Sequence, residues 1–495
     1  MLTLTIFSVA TRCLGFIYKI YLAKIMTTNE LGIYNITLSV YMVFITIIGA
    51  SIPLTVSKIT AKNKALGQAS YTNYSITSAL IYNVIMALFL TLLALISKPL
   101  ITLVIGNSLG YTVILSLLPS IFFTAIYAQL KGYLWGIENY FAVSIVELFE
   151  QILKISICVV FIMTNIFNSP IIAVANAINW SCGISTIYGI YLYVKNSGRF
   201  QYRNGYFKEI IKSSSPLTCV RLFTSLLAPI ISFIIPLRLS STIFSKAEII
   251  SELGVLMGMS MPLLSIPSTI IGALCMILIP KISSENTSQV NKQISYYIIF
   301  TISCIFAFIP IFIILGEPIC ELVFNHIQAG TYLKYFCWVM LPIGLAQITT
   351  SILNALNQEY KTFLYFIISN IIMVIFTICF TPLIGPGIII VGMGIGSILT
   401  TVLNVHKIKT ILGTNTNILS ISIKHSFIIL PIILLTRYCY NILSNILSPF
   451  ITISITGIIS VAFYICLLFT FNIINLSTIK IYLNRNTKQT KKVSN

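Results

Sequence analysis

Apolar runs of about twenty residues, separated by short polar breaks, make up nearly the whole chain. They lie at about 2–26, 33–57, 72–96, 110–133, 141–163, 170–194, 213–237, 254–279, 294–316, 332–355, 360–381, 386–405, 425–443 and 450–474. A run of this length crosses the hydrocarbon core of a bilayer as a helix. In lipid every backbone N–H and C=O must find its partner inside the segment, so such runs fold as a bundle of α-helices. Only 8% of the 495 residues are charged and 57% are apolar, against about one-quarter charged in soluble domains. The expectation is an all-α polytopic membrane protein with about fourteen transmembrane helices.

The placement of charge orients the bundle. With both termini in the cytoplasm, the inner loops and tail hold twenty lysines and arginines, including Lys58, Lys62, Lys64, Lys131, the group from Lys195 to Lys212 and the tail from Lys480 to Lys492. The outer loops hold five: Lys24, Lys98, Arg238, Lys246 and Lys334. An excess of Lys and Arg on the cytoplasmic side is what an even number of spans with both ends inside produces. The chain is therefore expected in the cell (cytoplasmic) membrane, and the net charge of +19 reflects orientation rather than nucleic-acid binding. The first run keeps its charges inside the apolar stretch and ends at no small-residue cleavage site, which marks a membrane helix rather than a signal peptide.

Charges inside the spans point to function. Arg12 and Lys19 are seven residues apart, close to two helical turns, and share one face of the first helix with Gly15 between them. A cation at the centre of a span costs about 2.5–3.5 kcal/mol on insertion scales, so that face is expected to line a cavity that receives an anion. Arg221 stands within the seventh run. The fifth carries Glu147, Glu150 and Lys154; Glu150 and Lys154, at i and i+4, are spaced for a local ion pair. The candidate substrate-binding cations are Arg12, Lys19, Arg221 and Lys154, and the candidate proton- or ion-coupling groups are Glu147 and Glu150. Arg437, near a helix end, is expected to snorkel to the interface.

The chain also echoes itself. Ser51-Ile52-Pro53 recurs as Ser265-Ile266-Pro267, Arg12 as Arg221, Leu118-Pro119 as Leu341-Pro342, and the segment Tyr133–Tyr140 as Ile352–Tyr360, at spacings of 209 to 223 residues. Four echoes in one order imply two six-helix pseudo-repeats, which enter the membrane from the same side and enclose a central cleft. The expected division is 1–194 for the N-terminal half, 195–212 for a basic cytoplasmic linker, 213–412 for the C-terminal half, 413–479 for two added helices and 480–495 for a basic cytoplasmic tail. On this scheme Arg12 and Arg221 face each other across the cleft.

Other chemistries find no footing. No P-loop, His-Glu-x-x-His or Gly-x-Ser-x-Gly pattern occurs, and the eleven cysteines form no Cys-x-x-Cys pair. His326, His406 and His425 have no partners at ligand spacing, so no metal site is expected. The chain reads as no enzyme and as needing no cofactor beyond a coupling ion, H⁺ or Na⁺, or the membrane potential.

The motifs Thr11-Arg12-Cys13-Leu14-Gly15-Phe16-Ile17-Tyr18-Lys19, Glu30-Leu31-Gly32-Ile33-Tyr34, Lys131-Gly132-Tyr133-Leu134-Trp135-Gly136, Glu150-Gln151-Ile152-Leu153-Lys154, Pro216-Leu217-Thr218 with Arg221-Leu222, and Gly258-Met259-Ser260-Met261-Pro262 resemble, in order and over most of the chain, the stage V sporulation protein B family of polysaccharide biosynthesis proteins. That family is similar to the flippase superfamily that also contains lipid II flippases and MATE-type drug exporters. Lysines stand at 19 and 154 where the family pattern suggests arginine, which keeps the charge and loses the fork. The resemblance implies a flippase that moves an undecaprenyl-pyrophosphate-linked oligosaccharide, a lipid II-like precursor or polysaccharide unit, from the inner to the outer leaflet by alternating access, in spore cortex or cell-wall synthesis. The implied partners are that anionic lipid-linked saccharide, membrane lipids and cell-wall synthesis proteins, with no nucleic acid. The competing expectations are a cation-coupled multidrug exporter of the same superfamily and a non-transporting scaffold for wall or sporulation machinery.

Overall fold

The computed structural model describes residues 2–49, 52–67, 69–203, 206–239, 245–283, 287–413 and 417–471. Ser51 of the first echo and the basic tail 480–495 lie outside the described residues. The helices in chain order are α1 (Leu2–Ile25), α2 (Thr28–Gly49), α3 (Ile52–Ala65), α4 (Ala69–Ile96), α5 (Lys98–Ile105), α6 (Ser108–Gly136), α7 (Tyr140–Met163), α8 (Pro170–Lys195), α9 (Tyr206–Leu239), α10 (Lys246–Val255), α11 (Met261–Leu264), α12 (Ile266–Ser283), α13 (Thr287–Phe324), α14 (Ile327–Phe336), α15 (Met340–Ala355), α16 (Glu359–Ile384), α17 (Ile388–Leu412), α18 (Ile418–Leu443) and α19 (Pro449–Thr470). No strand occurs among the described residues.

Among the described residues, eleven helical stretches are long and apolar enough to cross a membrane by length and composition, and one of them runs through Glu359–Leu412. That stretch is two helices. Gly385, at φ 71°, opens the turn, and Gly392 lies against Met373 and Thr377, so the chain doubles back on itself. With α1 and the charged α7 counted beside them, the spans are compatible with the fourteen apolar runs.

The helix ends are written in local chemistry. Asn107 Oδ1 accepts from the Leu109 N–H at the start of α6 (2.9 Å), and Asn139 Oδ1 accepts from the Ala142 N–H at the start of α7 (3.2 Å). Each satisfies an orphan donor of a first turn. At α10, Ser245 and Glu248 form a reciprocal capping box. The echoed segments after α6 and α15 close with one hydrogen-bond pattern. Asn139 N–H donates to Leu134 C=O and Glu138 N–H to Trp135 C=O; Gln358 N–H donates to Leu353 C=O and Asn357 N–H to Asn354 C=O. Glu138 (φ 66°) and Asn357 (φ 58°) take the left-handed position at the two ends.

By contact the chain groups into two compact units, Met1–Pro262 with Asn370–Gly392, and Leu263–Ser369 with Met393–Asn495. In the first, α6 is the central post, packed by α2, α3, α4 and α8, while α7 packs on α1 and α8, and α9 lies along α2, α3, α4 and α5. Pro119 interrupts α6, and Asn179 of α8 mends the break: its Oδ1 accepts from Ser120 N–H (3.0 Å) and its Nδ2 donates to Ser116 C=O. One side-chain amide thus braces the backbone on both sides of the proline. The segment after α8 is pinned to α4, since the Arg199 and Gln201 N–H groups donate to Asn73 Oδ1 (3.2 Å) and Thr77 Oγ1 (3.0 Å). In the second unit α13 carries α14, α15, α18 and α19. There His425 of α18 is buried, with Nδ1 at 2.8 Å from Ile421 C=O and Nε2 at 3.0 Å from Ser303 Oγ of α13.

Candidate functional site

The site begins with a glycine pattern on α6. A methyl group on Gly132 would stand 2.7 Å from Pro53 C=O, and one on Gly136 would stand 2.8 Å from Ser57 C=O, so both glycines sit directly on the α3 backbone. Lys131 and Trp135 are one residue earlier in each turn and share the neighbouring face of α6. With the glycine face locked to α3, that neighbouring face turns into a cavity of about 500 Å³ inside the first unit. Its wall is completed by Thr11 of α1, Thr46 and Gly49 of α2, Pro53 and Leu54 of α3, Thr124 and Tyr127 of α6, Glu147, Glu150 and Gln151 of α7, and Arg221 of α9.

The charges in this wall differ in how they are held. Lys131 donates to Glu147 Oε1 in an ion pair, and its ammonium lies 4.6 Å from the Trp135 ring centroid. Lys131 is therefore fixed and neutralised locally. Glu150 accepts from Cys182 Sγ at 3.6 Å. Lys154 is within electrostatic reach of Glu150 and Lys19, and its ammonium lies over the Tyr18 ring at 5.4 Å. The tight pair on α7 is thus Glu147 with Lys131 of α6, in place of the i, i+4 pair of Glu150 with Lys154. Among the described residues, Arg221 has no carboxylate within ion-pair distance.

Of the expected site residues, Arg221, Glu147 and Glu150 stand together in the wall. Arg12 and Lys19 are both on the exposed side of α1, whereas Thr11 faces the cavity and a methyl group on Gly15 would stand 3.7 Å from Gln151 Nε2. Lys154 lies a turn beyond Glu150 at the α1–α7 seam. The sequence pattern, with its apolar run closing at 133, sets Lys131 among the loop cations; in the structure α6 continues to Gly136. The signal that finds it is the pair of i, i+4 patterns, Gly132/Gly136 beside Lys131/Trp135. Tyr127 and Gln151 carry no such mark.

A bundle of apolar helices that walls a polar, partly paired cavity is the architecture of a membrane transporter, and the comparisons agree. The fold matches "Lipid II flippase MurJ, inward closed conformation" with a TM-score of 0.75 and 16% identity, covering 95% of this chain and 100% of that one. It matches an inward-facing multidrug resistance MATE family transporter of the MOP superfamily with a TM-score of 0.69 and 14% identity, covering 81% and 94%. Residues 1–286 match the family model described as "Polysaccharide biosynthesis protein", and the chain belongs to that family. It is 22% identical over 494 residues to "Stage V sporulation protein B" of Bacillus subtilis (strain 168), covering 94% of this chain and 93% of that protein. The fold is one that these solved transporters share.

Proposed function

We propose that the chain is a flippase that carries an undecaprenyl-pyrophosphate-linked oligosaccharide from the inner to the outer leaflet of the cytoplasmic membrane, with both termini inside. The observation that carries this reading is Arg221, a cation without an acidic partner among the described residues, in the wall of a polar cavity among membrane helices. A guanidinium offers a planar fork of donors that matches phosphate oxygens and replaces their water. Arg12, one residue from the cavity-lining Thr11, is the proposed second phosphate contact, with Lys19 and Lys154 flanking it along the α1–α7 seam. Export of an anion is assisted by an interior-negative potential, worth about 2.3 kcal/mol per charge per 100 mV. Glu150 with Cys182 is the proposed site of proton or sodium coupling. The six-helix repeats 1–194 and 213–412 are the proposed moving bodies, joined by the linker 195–212 and followed by the helices of 413–479. Family membership and the likeness to a stage V sporulation protein support a role in wall or spore-cortex synthesis, beside cell-wall synthesis proteins.

A second reading, export of organic cations, draws on Glu147 and Glu150 in the same wall. One experiment separates the two: leaflet exchange of a polyprenyl-pyrophosphate disaccharide in proteoliposomes, run beside efflux of an organic cation. Wild-type protein is expected to exchange the lipid, and Arg221→Ala to slow exchange at least tenfold at equal thermal stability, with Arg12→Ala acting in the same direction. Wild-type exchange no faster than in empty liposomes, together with cation efflux, would refute the flippase reading.

A further inference from the structure

The segment that leaves α8 is held more tightly than a tether between helices requires. Asn196 C=O accepts from Tyr133 Oη of α6 (2.7 Å), Arg199 C=O accepts from Tyr193 Oη of α8 (2.9 Å), and Asn196 Oδ1 accepts from Asn139 Nδ2 at the start of α7 (3.1 Å). The Arg199 and Gln201 N–H groups are fixed to α4. Gly198 makes the close turn possible, since a methyl group there would stand 2.3 Å from the Tyr193 ring. None of these bonds uses the side chains of Lys195, Arg199 or Arg203, and all three residues are exposed. The segment therefore presents its cations from a fixed backbone.

Among the described residues, none of these three cations has a carboxylate within ion-pair distance. Aromatic rings stand beside them instead. The Lys195 ammonium lies 5.9 Å from the Tyr191 ring centroid, and the Arg203 guanidinium carbon lies 5.9 Å from that of Tyr74. Phe200 and Tyr202, between the two arginines, are exposed. Cations interleaved with exposed aromatic rings are the composition of a membrane interface. On α8, Ile184, Ile187, Tyr191 and Val194 are exposed at helical spacing, so they form one apolar stripe that ends at Lys195. A free phosphate or an acidic protein segment would use the cations and leave the stripe empty. A molecule with an apolar tail and an anionic head uses both.

We propose that the α8 stripe and the pinned segment after it form a binding surface for an anionic phospholipid of the inner leaflet: an acyl chain lies along Ile184, Ile187, Tyr191 and Val194, and Lys195, Arg199 and Arg203 hold the phosphate-bearing head group. The inner-leaflet placement rests on the orientation read from the loop charges, whereas the binding is independent of what the protein transports. The backbone pins give the surface its selectivity: a free tether would follow any negative membrane, and a fixed one offers its cations at the end of one stripe. A bound lipid there would also hold the segment between the proposed moving bodies against the first unit.

The test is lipid titration of the purified full-length chain in detergent, read by native mass spectrometry, with phosphatidylglycerol and phosphatidylcholine of identical acyl chains. A cation near an anionic lipid surface is worth about fivefold in affinity, so wild-type protein is expected to bind phosphatidylglycerol about tenfold or more tightly than phosphatidylcholine. Lys195→Gln with Arg199→Gln and Arg203→Gln is expected to abolish that preference. Lys361→Gln with Lys409→Gln and Lys424→Gln removes the same number of exposed cations from the second unit and is expected to keep the preference within about twofold. Tyr191→Ser with Val194→Ser is expected to weaken both lipids alike, through the tail. If the first triple variant unfolds, its three single variants decide: a several-fold loss of preference in each supports the surface, and no loss in any overturns it. A wild type without preference, or a preference lost equally in the two triple variants, overturns the proposal. Release of the bound phosphatidylglycerol by free glycerol phosphate or by an acidic peptide overturns the lipid as occupant.

Discussion

Asn179 offers the sharpest test of how the central helix is held. Pro119 has no N–H, and around it Ser120 N–H and Ser116 C=O are bonded to one amide, that of Asn179. Ser120 is fully buried and Asn179 nearly so, so no solvent takes over if the amide is removed. Asn179→Leu keeps the side chain's approximate size and removes both of the amide's hydrogen bonds to this buried backbone. At about 1–3 kcal/mol for each buried unsatisfied group, the loss is about 2–6 kcal/mol. An unfolding entropy of roughly 2 cal/mol/K per residue makes that a fall of about 2–6 °C in Tm for a chain of this length. Asn176→Leu is the control on the same helix: Asn176 Nδ2 donates only to Ile172 C=O, one turn back on α8, so its loss is expected within about 1 °C. Thermal unfolding in detergent micelles measures both. An Asn179→Leu protein that unfolds within 1 °C of wild type and of Asn176→Leu would show that α6 does not depend on the borrowed amide.

Two further outcomes follow from the cavity wall. Gly132→Ala places a methyl group 2.7 Å from Pro53 C=O; overpacking of this kind costs about 1–3 kcal/mol. It is expected to lower Tm and to slow lipid exchange by displacing Lys131 and Trp135, whereas Gly457→Ala on α19, with nothing within 4 Å, is expected to leave Tm unchanged or slightly raised. Lys131→Met is expected to lower exchange more than Glu147→Gln, because it removes the ion pair and the Trp135 contact together. The double variant is expected to be milder than the sum of the two singles, which a double-mutant cycle reads directly.

The helices were legible because lipid leaves the backbone one solution, and because run length and polar breaks both survive in the sequence. The turn after α6 was legible as an echo of the one after α15, since a left-handed closing residue limits what can stand there: Glu138 in one and Asn357 in the other. The repair of Pro119 was not legible. Asn179 is 60 residues from Pro119 and carries no local mark, and a break mended from another helix has no sequence period.

The candidate site was half legible, for a geometric reason. Counting charges within predicted spans gave four cations, Arg12, Lys19, Lys154 and Arg221, against two acids, and so a strongly cationic cleft. Each residue along a helix turns the side chain by about 100°, and that rotation decides which charges count: Thr11 reaches the cavity while Arg12 is on the exposed side of α1, and Lys131, left out of the count, comes in on α6. The wall then carries two cations and two acids, of which Lys131 and Glu147 cancel as a pair. What is left is one arginine on α9 and one carboxylate on α7, so the wall is charge-separated rather than uniformly cationic: its unpaired cation and its unpaired acid stand on different helices, each set by the rotation of its own helix against its neighbours.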